Sequence, residues 1–285
     1  MCEHEYLLSS AEQEEYGNAL RRLIDPHVTP ISYFHNSDDS VGYHLGTGYF
    51  FEHGNRRYLM TNQHVAFPNI PGVDLSNISL AFLLDGEERY VRVTNPFASF
   101  DYPTDVACSV IDDTVWDKYH GGSICLPPEK FEDRFEAVEK EFFFLEGFPG
   151  QRARMLGDSL LTHLAPLLTH RIPLIEGFDS AVHFAVHFDI DKYRCSGEQT
   201  FLTSPEGMSG SLIWNTKIQE CKQKRIPWNA DMPKIVGIVH RYCSEEKRLI
   251  ATKIESMKKD ELAKLALTKR REAGEARRTA KGGTP

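Results

Sequence analysis

The chain lacks any uninterrupted apolar run approaching the ~18 residues needed to cross a bilayer, which argues against a helical membrane span. It also lacks the basic start and apolar centre of a secretory leader: Met1-Cys2-Glu3-His4-Glu5 is acidic and runs into a polar segment. A cytoplasmic location is therefore expected. Cys-x-x-Cys pairs are missing, so a structural zinc site has no support. The six cysteines (Cys2, Cys108, Cys125, Cys195, Cys221, Cys243) read as reduced thiols rather than a disulfide framework. A concentrated positive face is missing too. The net charge is −8; from Thr252 onward ten Lys/Arg face five Asp/Glu, a net of +5, leaving −13 on residues 1–251. An acidic body with a basic tail is not expected to bind nucleic acid, which needs clustered cations against phosphate.

What is present is the composition of a globular protein, with 41% hydrophobic and 11% aromatic residues, long enough to bury a substantial core. Tyr16, Leu20, Leu23 and Ile24 recur at helical spacing after a capping pattern at Ser10 and Gln13, predicting an amphipathic helix over 11–24 that Pro26 and Pro30 end. From Ile31 to about Ala251 short apolar runs alternate with Gly, Pro, Asn and Asp, among them Gly46–Phe51, Arg57–Thr61, Val106–Ile111, Glu141–Leu145, Ser211–Trp214 and Ile235–Val239. That texture predicts an all-β pair of barrels or a sandwich. Pro127, Pro128 and the charges after them suit a linker between two β units. The expected division is an N-terminal extension (1–30), a first β-barrel (31–128), a linker and second β-barrel (129–251), a C-terminal helix (252–267) and a basic disordered tail (268–285).

Three short segments carry chemistry. Tyr58-Leu59-Met60-Thr61-Asn62-Gln63-His64-Val65 is a strand-like run followed by a His. Thr104-Asp105-Val106-Ala107-Cys108 places an Asp at the mouth of an apolar strand. Pro205-Glu206-Gly207-Met208-Ser209-Gly210-Ser211 holds a Ser between glycines before the run Leu212-Ile213-Trp214. A serine hydroxyl is a poor nucleophile near pH 7 until an imidazole takes its proton, and that imidazole needs a carboxylate to hold its tautomer and offset its charge. Glycines beside the serine let backbone amides converge on a developing oxyanion.

In this order and at this spacing, the segments resemble those of the trypsin-like serine peptidases over roughly residues 40–245. Thr61-Asn62-Gln63-His64-Val65 and Gly207-Met208-Ser209-Gly210-Ser211 are closer to the bacterial glutamyl-endopeptidase and heat-shock-protease branch than to the digestive enzymes, and Phe148-Pro149-Gly150 resembles the opening of that branch's second barrel. The resemblance implies two antiparallel β-barrels of the chymotrypsin type, a site between them and a C-terminal helix outside. It implies a serine endopeptidase in which His64, Asp105 and Ser209 form the triad and the amides of Gly207 and Ser209 form the oxyanion hole. The partner would be a protein or peptide substrate, with no metal and no organic cofactor. Where digestive relatives keep an Asp before the nucleophile to pair with a freed N-terminus, this chain has Met208.

The S1 pocket is expected to use Thr203, Ser204, His240 and Arg241. Thr203 stands where relatives that cleave after Lys or Arg keep an Asp, so a basic P1 residue has no buried counter-charge. In one register His240 falls beside Asp105; shifted by one residue it falls where glutamyl endopeptidases read an acidic side chain. Asp101 is a rival to Asp105 that reads as turn chemistry before Tyr102-Pro103. His183 and His187 share a strand face without a third metal ligand nearby, Cys108 reads as a buried small hydrophobe, and Asn77-Ile78-Ser79 as a chance glycosylation match. Two alternatives stand beside the enzyme: a catalytically silent protease-fold binding module, and an enzyme gated by a regulatory protein partner through the N-terminal helix or the basic tail.

Overall fold

The computed structural model describes residues 8–35, 38–70, 78–82, 90–150, 154–156, 159–161, 164–189 and 205–282. Helix α1 spans Ser10–Ile24 and is capped by Ser9, whose hydroxyl accepts from Glu12 N at 3.2 Å while the Glu12 carboxylate reaches back to Ser9 N at 2.8 Å. The cap expected at Ser10 thus lies one residue earlier. An ionised carboxylate is the stronger acceptor for the cap amide, and the Gln13 side chain donates to Leu8 O instead.

The first unit is a curled antiparallel sheet of seven strands: β1 (Val28–His35), β2 (Asp38–His53), β3 (Arg56–Thr61), β4 (Ile78–Phe82), β5 (Val91–Arg92), β6 (Ala98–Phe100) and β7 (Val106–Ile111), in the order β5-β4-β1-β2-β3-β7-β6. Helices α2 (Gln63–Ala66) and α3 (Asp113–Tyr119) follow β3 and β7. The second unit is a closed barrel of β8 (Phe142–Gly147), β11 (Ala165–Ile172), β12 (His183–His187), β15 (Arg248–Lys253), β14 (Lys234–Cys243) and β13 (Leu212–Asn215), with β9 (Arg154–Leu156) and β10 (Ser159–Leu161) as a separate ladder. Helix α4 (Ile218–Lys224) follows β13. One barrel is closed; the edge strands β5 and β6 of the first sheet are not paired to each other among the described residues.

The continuous apolar runs have a physical reason. Phe50 and Leu59 point into the first unit's own core with Ile31, Phe82 and Trp116, while their neighbours Tyr49, Phe51, Tyr58 and Met60 join a central core shared with Phe144, Leu212 and Trp214 of the barrel. On β8 the same alternation sends Phe143 and Leu145 into the barrel and Phe144 into the shared core. Strands buried on both faces cannot show the polar half of a period-two pattern. The linker bridges the units directly, since Leu126 pairs with Phe51 and Phe131 with Ile235.

After β15 come α5 (Ile254–Met257), a left-handed Lys258 and α6 (Lys259–Gly282). The tail expected to be disordered from residue 268 is helical to Gly282. Lys269 and Arg277 donate to the carbonyls of Phe97 and Thr94, and Arg270 pairs with Asp112. A segment rich in Ala, Glu, Lys and Arg extends a helix that Leu262, Ala263 and Ala266 have already docked, because elongation avoids the cost of nucleation.

Behind the junction, α1 meets β8 through an unusual polar contact. The Glu146 side chain is fully buried, faced by Arg21, whose Nε lies 3.5 Å from Oε1, by Asp25, and by Tyr49, whose hydroxyl donates to the Glu146 carbonyl. Burial, and then the neighbouring Asp25 carboxyl, push the Glu146 carboxyl well above the usual range. The folded state then holds a proton that the unfolded chain releases, so stability is lost as pH rises from about 4.5 toward the folded pKa. Glu146→Gln should flatten that fall and raise Tm near pH 7 by about 2–4 °C for each kcal/mol recovered, checked by thermal melts from pH 4 to 8.

Candidate active site

His64 sits on the single turn α2, rooted by buried Val65 and Ala66, with its own side chain 46% exposed. Asp105 opens β7 in a left-handed conformation (φ 50°) after a turn in which the Asp101 carbonyl accepts from the amides of Thr104 and Asp105. A left-handed non-glycine residue holds strain that its surroundings must offset. They do: Asn62 Nδ2 donates to Asp105 O at 2.7 Å, the His64 amide donates to Oδ1 at 3.1 Å, and His64 Nδ1 lies 2.7 Å from Oδ2. Asp101 is exposed, and its role here is the turn. With Nδ1–H donating to a carboxylate, Nε2 of His64 is left as the acceptor.

The second barrel supports the same turn. Thr252 Oγ1 donates to Thr104 O at 2.8 Å, and His183 Nε2 lies 2.8 Å from Pro103 O. His240 occupies an irregularity of β14, between the pairs Val239–Ala251 and Arg241–Ile250, which turns its Nδ1 to 3.9 Å from Asp105 Oδ2. Of its two expected registers, His240 takes the one beside Asp105. Burial, then the adjacent His183, hold its pKa down to about 4, so it is neutral near pH 7. The rings of His183 and His240 lie 5.0 Å apart, whereas His187 stacks on His170. The shared face of His183 and His187 therefore serves two separate contacts. Among the described residues, three or more His, Cys, Asp and Glu side chains nowhere gather as a metal site.

The Ser209 loop is pinned from both units. Ser209 O accepts from Thr47 N at 2.8 Å, and Gly210 N donates to Val239 O at 3.0 Å. Gly46 lies between the His64 turn and this loop, where a Cβ would meet Val65 at 2.7 Å and Ser209 O at 2.9 Å. Gly207 (φ 91°) and Gly210 (φ 92°) supply the backbone conformations that L side chains rarely adopt. Met208, buried in the barrel core, donates its amide to Pro205 O. The amides of Gly207 and Ser209 donate to no described residue, and no hydrogen bond joins Ser209 Oγ to His64 among them. Beside the loop opens a cavity of about 500 Å³ lined by Glu206, Met208, Ser209, His240, Arg241 and Tyr242 among others. Thr203 and Ser204, also expected there, lie outside the described residues.

The structure of the thermostable serine protease AL20 from an extremophilic microorganism matches over 85% of this chain and 98% of its own, with 10% identity and a TM-score of 0.50. The fold is that of chymotrypsin. Tobacco etch virus protease complexed with product matches at 14% identity over 82% of this chain and 75% of its own, TM-score 0.43. No family model and no curated protein matches the chain. The likeness reaches the fold; it does not single out the glutamyl-endopeptidase and heat-shock-protease branch.

Sequence reasoning missed His44, Thr47 and Asn62, which hold the two loops through contacts with residues 43 to 160 positions away. Asn62 had the one available signal, its place beside His64. The loop's backbone packing is testable at Gly210, where a Cβ would stand 1.9 Å from Thr47 O. Gly210→Ala should destabilise the protein by about 3 kcal/mol, seen as a lower urea midpoint.

Proposed function

We propose that the protein is a serine endopeptidase with His64, Asp105 and Ser209 as its triad. The observation that carries this reading is the two-point hold of His64 on Asp105, through Nδ1 at 2.7 Å and the backbone amide at 3.1 Å. In the reaction, His64 Nε2 takes the proton from Ser209 Oγ as it attacks the scissile carbonyl. Asp105 keeps the imidazole in the required tautomer and stabilises the imidazolium; His64 then passes the proton to the leaving amine. The amides of Gly207 and Ser209, which donate to no described residue, suit the oxyanion, where each such donor is worth about 3–4 kcal/mol in the transition state.

Buried, apolar Met208 offers no carboxylate for a freed N-terminus, which supports activity without N-terminal cleavage. The missing Ser209–His64 hydrogen bond favours a second reading, a silent protease-fold binding module, although catalytic hydrogen bonds commonly tighten only when substrate binds. Ser209→Ala should leave the melt unchanged, abolish fluorophosphonate labelling and lower peptide hydrolysis by about 10⁴-fold or more. Wild-type protein that neither labels nor hydrolyses, alone or in lysate, would favour the silent module over the enzyme.

For the P1 residue we propose an acidic or polar side chain over a basic one. Arg241 stands at the cavity, His240 is neutral, and the acid there, Glu206, is exposed rather than buried as a counter-charge. A peptide-library cleavage profile should be depleted in Lys and Arg at P1; strong enrichment in either would refute this reading.

A further inference from the structure

His44, on β2, has no part in the chemistry above, yet it is half-buried between the two units with Nε2 2.7 Å from the carbonyl oxygen of Phe148. We propose that His44 is a positioning residue, holding the Phe148–Gly150 turn so that this turn keeps the Gly207 amide aimed at the oxyanion. The proposal rests on the reading of Gly207 and Ser209 as oxyanion amides.

The geometry runs through two peptide planes. Gly150 N donates to Glu206 O at 2.6 Å, and in a trans peptide the N–H points opposite to the carbonyl. The Glu206–Gly207 plane is therefore held with Gly207 N–H facing away from Gly150. In the next plane, Gly207 O accepts from Thr47 Oγ1 at 2.8 Å, and Met208 N–H turns to Pro205 O at 2.9 Å. The Phe148–Gly150 turn is itself fixed at both ends of one residue: Phe148 N donates to Thr47 Oγ1 at 3.0 Å, and Phe148 O takes the His44 N–H. Because that partner is a carbonyl oxygen, the ring proton resides on Nε2.

The packing leaves no slack. A Cβ on Gly207 would lie 2.4 Å from Phe148 O, 2.7 Å from Gly150 N and 2.7 Å from His44 Nε2, and one on Gly150 would lie 3.5 Å from His44 Cδ2. Without the His44 donor, Phe148 O is a buried acceptor that no other described residue holds. The turn then shifts, and the Glu206–Gly207 plane loses the contact that sets its direction.

The test uses the full chain with His44→Phe, which removes the donor, and His44→Gln, which keeps an N–H. Should His44→Phe not fold, His44→Leu takes its place. The donor-less variant should lose about 10–100-fold in kcat with KM within about twofold. Its affinity for a peptidyl trifluoromethyl ketone should fall by the same factor while affinity for the product peptide stays, and His44→Gln should recover most of the loss. A change in Tm alone, with kcat intact, would overturn the proposal, as would equal losses in the Phe and Gln variants. If the wild-type protein neither labels with fluorophosphonate nor hydrolyses peptide, the peptidase reading fails separately. The clamp is then read by hydrogen exchange at Phe148, Gly150 and Met208, expected at least about tenfold faster in His44→Phe; unchanged exchange would overturn it.

Discussion

The close approach of backbone to backbone between β2 and the 207–210 loop is the constraint on which the rest of the site depends. Side chains are missing there because there is no room for them: a Cβ at Gly46, Gly147 or Gly210 would strike atoms of the opposing unit at under 3 Å. Gly207, facing the Phe148–Gly150 turn, is equally confined. The strand and the loop are consequently joined by a direct main-chain hydrogen bond, Thr47 N to Ser209 O, as though the Ser209 loop were a further partner of β2. A loop bonded through its backbone is located by the sheet itself, which is more rigid than any side-chain contact.

The Asp105 turn is the complementary device. Its residues belong to the first unit, but its carbonyls at Pro103 and Thr104 face His183 and Thr252 of the barrel. A carboxylate at the mouth of a buried strand needs partners on every side, and it has the His64 ring, the His64 amide and the neutral His240 nearby. The buried imidazole of His240, 3.9 Å from Oδ2, places a nearly dry surface behind Asp105. Tyr102 and Phe178 extend that surface by packing on His183.

Much of this was legible because it is local. His64, Asp105 and Ser209 each sit in a run of fewer than ten residues whose spelling reflects a turn, a strand mouth or a glycine-flanked loop. The strands were legible as apolar runs. Their burial on two faces, which erased the alternation, was not, because it depends on two cores sharing one set of strands. The cap of α1 was displaced by one residue, since Ser9 and Ser10 are equivalent as letters and only the reach of Glu12 separates them. The expected C-terminal helix runs on past residue 267, through the stretch whose cations look solvated in the sequence; Asp112 and two carbonyls of the first unit order that stretch from more than 150 residues away.

The sequence by itself determined the all-β class, the two-unit division and the three segments that carry His64, Asp105 and Ser209, because each is written in neighbouring residues. Tertiary structure alone decided that one unit closes while the other curls, that His240 lies beside Asp105, and that Thr47 and His44 hold the Ser209 loop and the Phe148–Gly150 turn packed on it. Hydrogen bonds and packing across 100 residues or more follow from how two sheets meet. That meeting is set by the summed burial of dozens of side chains, which no single segment encodes.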